Sequence, residues 1–224
     1  MSDVPLRPEP ALPDAARDAT VFVVDDDVSY LRSISRLLKA SGFRVVIHNS
    51  AAELLAELQP GVRGCLITDL MMPGMSGIDL QVALHRAGHA LPVIFLSGHG
   101  SVPSTVQAMK GGAEDFLTKN APKTDLLAAI GRALERNARD RARSASLDEK
   151  RKPFELLTER EREVLRHVLQ GRLNKQIATE LGIHERTVKL HRTHVTTKLG
   201  VHSVAELARL AQEAGVFPSA HSGQ

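Results

Sequence analysis

Between Thr20 and about Arg136, short apolar runs alternate with stretches whose apolar residues recur every three to four positions, and this alternation limits the possible folds more than any other feature. Thr20-Val21-Phe22-Val23-Val24 reads as a buried strand. Leu31, Ile34, Leu37 and Leu38 then share one helical face that Gly42 ends. Val45-Val46-Ile47 is a second strand, and Ser50 with Glu53 predicts a capping box for a helix through Leu54, Leu55 and Leu58. Cys65–Thr68, Val93–Leu96 and Asp115–Leu117 continue the strands. Helices follow them from near Gly77, around Val106 and Met109, and through Leu126, Leu127, Ile130 and Leu134. Near-continuous apolar strands that alternate with helices require right-handed crossovers and a parallel sheet covered on both faces. The expectation is a doubly wound, five-stranded parallel α/β domain over residues 20–138, preceded by a loose tail at 1–19.

Residues 139–153 are highly charged and lack an apolar face, so they read as a linker closed by Pro153, either irregular or partly helical as an extension of the preceding helix. Beyond it the periodicity is helical throughout. Thr158 with Glu161 predicts a capping box, Val164, Leu165, Val168 and Leu169 a buried stripe, and Gly171 its end. Three more helices are expected: from about Lys175 to Leu181, from Glu185 to Leu199, and from a Ser203/Glu206 box to about Ala214. This makes an all-α, four-helix domain over 154–217, with a tail at 218–224.

Residues 1–138 carry 13 Lys and Arg against 15 Asp and Glu, whereas residues 139–224 carry 16 against 11, so the helical half is the one to search for nucleic-acid contacts. No apolar run is long enough to span a bilayer, and the proline-rich segment Met1–Ala19 lacks a signal-peptide core, so no membrane association and a cytoplasmic location are expected. The single cysteine, Cys65, lies in an apolar strand and reads as structural.

On the α/β reading, Asp25-Asp26-Asp27 ends the first strand and Asp69 the third, which brings carboxylates together at the sheet edge where such folds bind ligands. Uncompensated anions there need a cation, and Mg²⁺ suits carboxylate and carbonyl oxygens; Met71 is positioned to supply a carbonyl. The fourth strand ends in Ser97 and the fifth leads to Lys119, a hydroxyl and an ammonium able to stabilise charge on a phosphoryl group. The chemistry that fits is attack by a carboxylate on phosphorus to give an acyl phosphate.

Val24-Asp25-Asp26, Asp69-Leu70-Met71-Met72-Pro73-Gly74-Met75-Ser76-Gly77, Ser97-Gly98 and Phe116-Leu117-Thr118-Lys119 together resemble the receiver domain of two-component response regulators. The resemblance implies that Asp69 is the phosphoacceptor for a sensor histidine kinase, that Asp26 and Asp69 bind Mg²⁺ directly, and that Asp25 acts mainly through water. It also implies that Ser97 and Phe116 form a coupled switch with Lys119 at the phosphoryl group, and that phosphorylation favours a homodimer. Many receivers have proline directly after this lysine; here Asn120-Ala121-Pro122 follows Lys119, which puts the usual cis peptide and loop geometry in question.

In the second half, Asn174–Ile183 followed by Thr187–Arg192 has the layout of a helix-turn-helix: a short helix, a glycine turn, then a longer helix with Val188, Val195 and Leu199 inward. Leu157–Leu165, Asn174-Lys175-Gln176-Ile177-Ala178, Thr187-Val188-Lys189, His191-Arg192 and Lys198-Leu199-Gly200 resemble the LuxR/FixJ-type (NarL-type) DNA-binding domain. By that resemblance Lys189, Leu190 and Thr193 face bases of promoter DNA. Asn174, Lys175, Thr187 and Arg192 are candidates for phosphate contacts, and the helix near Val204–Leu210 pairs two copies. His184 stands where a serine cap is common, which predicts a weaker start to the recognition helix. The other histidines, including His167, His194 and His202, show no metal-ligand spacing and read as structural, and His99 reads as a polar loop residue.

Two competing classes are an aspartyl-phosphate phosphatase-like enzyme and a signalling module that does not bind DNA. The first lacks an acid/base carboxylate just after the nucleophile, since Leu70 and Met71 follow Asp69. The second predicts no salt-sensitive duplex binding.

Overall fold

The computed structural model describes residues 18–98 and 102–217. The expected tails therefore lie outside the described residues except for Asp18 and Ala19, and His99 lies outside them too. The chain divides into two compact units, Met1–Arg141 and Ala142–Gln224.

In the first unit, β1 (Thr20–Val24), β2 (Arg44–His48), β3 (Gly64–Asp69), β4 (Val93–Ser97) and β5 (Asp115–Thr118) form one parallel sheet in the order β2-β1-β3-β4-β5. The strand alternation sorts its side chains into two cores. Val21, Val23, Cys65, Ile67, Ile94 and Leu96 pack against α1 (Val28–Ala40) and the start of α5 (Lys123–Glu155). Phe22, Val24, Leu66, Val93 and Phe95 pack on the other face with α2 (Ala51–Glu57), α3 (Gly77–Arg86) and α4 (Val102–Lys110). Cys65 is fully buried, and burial, with the nearby Glu114, pushes its thiol up to about 12, so it is chemically inert in the native state. Ala19, read from sequence as tail, is buried in the first of these cores.

Helix starts follow local chemistry. Ser50 Oγ accepts from Glu53 N, but the Glu53 carboxylate reaches back to Asn49 N, one residue before the cap. Ser76 and Asp79 make a full capping box for α3 that the sequence reading did not single out. Pro122 precedes α5, and its carbonyl accepts from Asp125 N and Leu126 N.

The largest departure from expectation is α5, which runs unbroken through the charged stretch 139–153 and past Pro153 to Glu155. Ala, Arg, Glu and Lys are good helix formers even without an apolar stripe, and a proline near the helix end forfeits one backbone bond. The first unit also reaches further along this helix than an apolar pattern reveals. Asn137, buried, donates through Nδ2 to Ala90 O at 2.8 Å and accepts from Gly64 N at 3.2 Å, and Arg141 donates to the carbonyls of Gly61 and Val62.

The second unit holds α6 (Glu159–Leu169), α7 (Asn174–Leu181), α8 (Glu185–Leu199) and α9 (Val204–Glu213) around Phe154, Leu157, Val164, Leu165, Ile177, Val188, Val195 and Leu207. Gly182 and Gly200 end α7 and α8 in the left-handed conformation that glycine adopts without cost. The Thr158/Glu161 box is formed. Glu161 is buried, and its Oε2 accepts from Thr158 N at 2.8 Å and Lys198 Nζ at 2.7 Å. Burial opposes ionisation here, yet Lys198 and the Thr158 bonds hold the carboxyl down at about 2, below its ordinary 4.5. A depressed folded-state value contributes stability above the unfolded value and loses it as pH falls through the folded one. The stability difference between wild type and Glu161→Gln is therefore expected to be full above about pH 4.5 and to vanish toward pH 2, as denaturant unfolding followed by circular dichroism would show.

Candidate phosphoryl-acceptor pocket and nucleic-acid interface

The strand order places the chain's reversal between β1 and β3, so the crevice opens beyond their carboxyl ends. Asp25 follows β1, Asp69 ends β3, Ser97 ends β4 and Lys119 follows β5, with Lys119 N donating to Ser97 O at 3.0 Å. Asp25 is buried at 1% exposure and Asp69 at 9%, whereas Asp26 is exposed. Lys119 Nζ lies 2.6 Å from Asp25 Oδ2 and 2.7 Å from Asp69 Oδ2, and 4.6 Å above the centre of the Tyr30 ring. Burial pushes the Asp25 carboxyl up, against the pull of Lys119 and of its bond from Asp27 N. Burial alone would lower the Lys119 ammonium; its hydrogen bonds to the two carboxylates outweigh that and raise it.

The three consecutive aspartates diverge. Asp25 turns in to Lys119, Asp26 faces solvent, and Asp27 caps α1 by accepting from Ser29 N and Tyr30 N. Asp69 Oδ1 accepts from Met71 N at 3.2 Å, and the Met71 side chain is exposed. Gly77 makes the approach of α3 possible, since a Cβ there would lie 2.2 Å from Asp69 O. Ser97 is buried, and Phe116, half-buried, stacks on Phe95 with ring centres 6.1 Å apart. Among the described residues there is no cis peptide; Ala121 N closes the loop after Lys119 by donating to Thr118 O at 2.9 Å.

One carboxylate oxygen from each of Asp25, Asp26 and Asp69 lies within 4.8 Å of the others. Three carboxylates against one ammonium leave two negative charges on hard oxygen donors, a set that fits a divalent ion such as Mg²⁺. Tyr30, which covers Lys119, escaped the sequence reading because a lone aromatic on an amphipathic helix gives no sign of what it faces.

In the second unit, Lys189, Leu190 and Thr193 are exposed on α8, while Val188, Val195 and Leu199 are buried beneath it. Lys175 is exposed on α7 and Thr187 half-buried. Arg192 Nη1 donates to Asn174 Oδ1 at 2.7 Å, which joins the two helices at their candidate phosphate-contact residues. His184 precedes α8 without a side-chain cap bond.

The family model for the response regulator receiver domain matches residues 21–131, and the model for bacterial regulatory proteins of the luxR family matches residues 155–211. The chain belongs to the response regulators that join a receiver to a LuxR-type DNA-binding domain, a family of transcriptional regulators. Nodulation protein W of Bradyrhizobium diazoefficiens is 42% identical to it over 203 residues, 91% of this chain and 89% of that protein. Transcriptional regulatory protein FixJ of Rhizobium meliloti is 41% identical over 203 residues, 90% of this chain and 99% of that one. Among solved structures, response regulator StyR matches with a TM-score of 0.69 and 43% identity, covering 88% of this chain and 99% of that chain.

Proposed function

We propose that Asp69 accepts a phosphoryl group from the phosphohistidine of a sensor histidine kinase, and that this event governs binding of the second unit to promoter DNA in the cytoplasm. The observation that carries the reading is the Lys119 ammonium held between Asp25 and Asp69 at the strand ends. An Asp69 carboxylate oxygen attacks phosphorus, the P–N bond breaks, and its electron pair returns to the donor imidazole. Lys119, already 2.7 Å from Asp69, offsets charge on the phosphoryl oxygens, and the hydroxyl of Ser97, at the end of β4, would donate to one of them. Asp25, Asp26, Asp69 and the Met71 carbonyl would hold Mg²⁺, which supplies charge neutralisation for phosphoryl transfer.

The switch would pass through Ser97 and Phe116 to the surface of α4, where Val102, Val106 and Met109 are exposed, and favour a homodimer. In the second unit Lys189, Leu190 and Thr193 would read bases. Asn174, Lys175, Thr187 and Arg192 would position the duplex on its phosphates, with α9 pairing two copies on an inverted repeat. Footprinting with and without a phosphodonor locates the target. At that site Lys189→Ala is expected to weaken binding by about tenfold, the loss of one base contact. Lys175→Ala is expected to reduce the slope of log K against log salt by about 0.9. Unchanged binding and salt slope in both variants would contradict the interface.

A further inference from the structure

Three residues that the DNA interface does not use meet behind the recognition helix. His191, His194 and Lys198 form one stripe of α8, and that stripe faces the buried Glu161 of α6. The Glu161 carboxylate has two distinct ends: Oε2 is occupied by Thr158 N and Lys198 Nζ, while Oε1 lies 3.6 Å from His194 Nδ1. That separation is too long for a hydrogen bond. His191 Nδ1 is buried without a hydrogen-bond partner among the described residues. One nitrogen of each imidazole and one carboxylate oxygen lie within 4.8 Å of one another.

We propose that Glu161, His191 and His194 form a site for a divalent transition ion, Zn²⁺ being the best match. Two imidazoles and a carboxylate are a borderline-soft nitrogen and oxygen donor set, which suits Zn²⁺ over Mg²⁺ or Ca²⁺. Tetrahedral coordination at about 2.0–2.1 Å places ligand atoms about 3.3 Å apart, so the 3.6 Å between His194 and Glu161 needs little adjustment. The half-exposed His194 side chain leaves the site open to solvent for entry and for a water in the fourth position. Because Lys198 already neutralises Glu161, affinity comes mainly from the imidazoles. An ion there would pin the start of α6 to the middle of α8, behind the surface offered to DNA.

Calorimetric Zn²⁺ titration of the full chain, stripped of metal by chelator and then held in excess Mg²⁺ to saturate the acidic pocket, tests this directly. The expected result is a saturable equivalent in the micromolar range that His194→Gln and His191→Gln each weaken by about tenfold or more, while His202→Gln binds as wild type does. His194 is half-exposed, so His194→Gln should keep the fold, which circular dichroism checks. Wild-type Zn²⁺ affinity in both ligand variants, or no saturable binding by the wild type, would overturn the proposal.

Discussion

Asp69→Asn is expected to abolish phosphoryl uptake from acetyl phosphate, with intact-mass measurement showing no added phosphate where the wild type gains one group per chain and releases it slowly. The amide is nearly isosteric with the carboxylate but is a far poorer nucleophile toward phosphorus, so the chemistry fails while the shape survives. Stability should stay within about 1 kcal/mol of wild type or rise, because Lys119 keeps Asp25 at 2.6 Å and one of three crowded anions is gone. Peptide mapping completes the experiment. Label retained by the asparagine variant would place the acceptor on another residue and end the proposal, and rapid multiple turnover by the wild type would favour a phosphatase-like enzyme.

Gly77→Ala should damage both stability and phosphorylation. An added Cβ would sit 2.2 Å from the Asp69 carbonyl oxygen and 3.0 Å from Phe95 Cε1. Neither can step aside cheaply, since one is backbone at the end of β3 and the other belongs to a fully buried ring. Overpacking of this kind costs about 1–3 kcal/mol, set against up to about 1 kcal/mol gained from alanine's better helix propensity. If α3 is pushed away or Asp69 is displaced, the carboxylate no longer meets Lys119 at 2.7 Å, so labelling should slow together with the fall in the denaturation midpoint. Gly131→Ala is the control. It lies inside α5 with nothing within 4 Å of a new Cβ, and is expected to stabilise by up to about 1 kcal/mol with labelling unchanged. A Gly77→Ala protein that unfolds and labels like wild type would show that α3 adjusts freely.

The three inner strands were legible because a sheet buried on both faces leaves runs such as Val21–Val24 and Val93–Leu96 that few other structures tolerate, whereas the partly exposed edge strands β2 and β5 were read from short apolar runs alone. The convergence of Asp25, Asp69, Ser97 and Lys119 was legible for a related reason: in a parallel sheet every strand delivers its last residue to the same edge. The full length of α5 was not, since residues 139–153 form a helix without the apolar stripe that marks one, and Asn137 and Arg141 hold to the first unit through polar bonds that have no period. Tyr30 over Lys119 and Glu161 beside His191 and His194 stayed hidden because each joins separate elements whose meeting no local spacing encodes. The His184 start of α8 was readable from one residue, as a missing cap depends on chemistry at that position alone.

The divergent directions of Asp25, Asp26 and Asp27 carry one more consequence. A triplet of like side chains invites treatment as a pool of negative charge from which any member could be spared, yet here their surroundings differ: Asp25 is buried against Lys119, Asp26 is exposed while keeping an oxygen in the same carboxylate cluster, and Asp27 ties down the first turn of α1. Replacing them one at a time should therefore yield three dissimilar defects, and moving an aspartate by a single position would exchange one defect for another instead of repairing it.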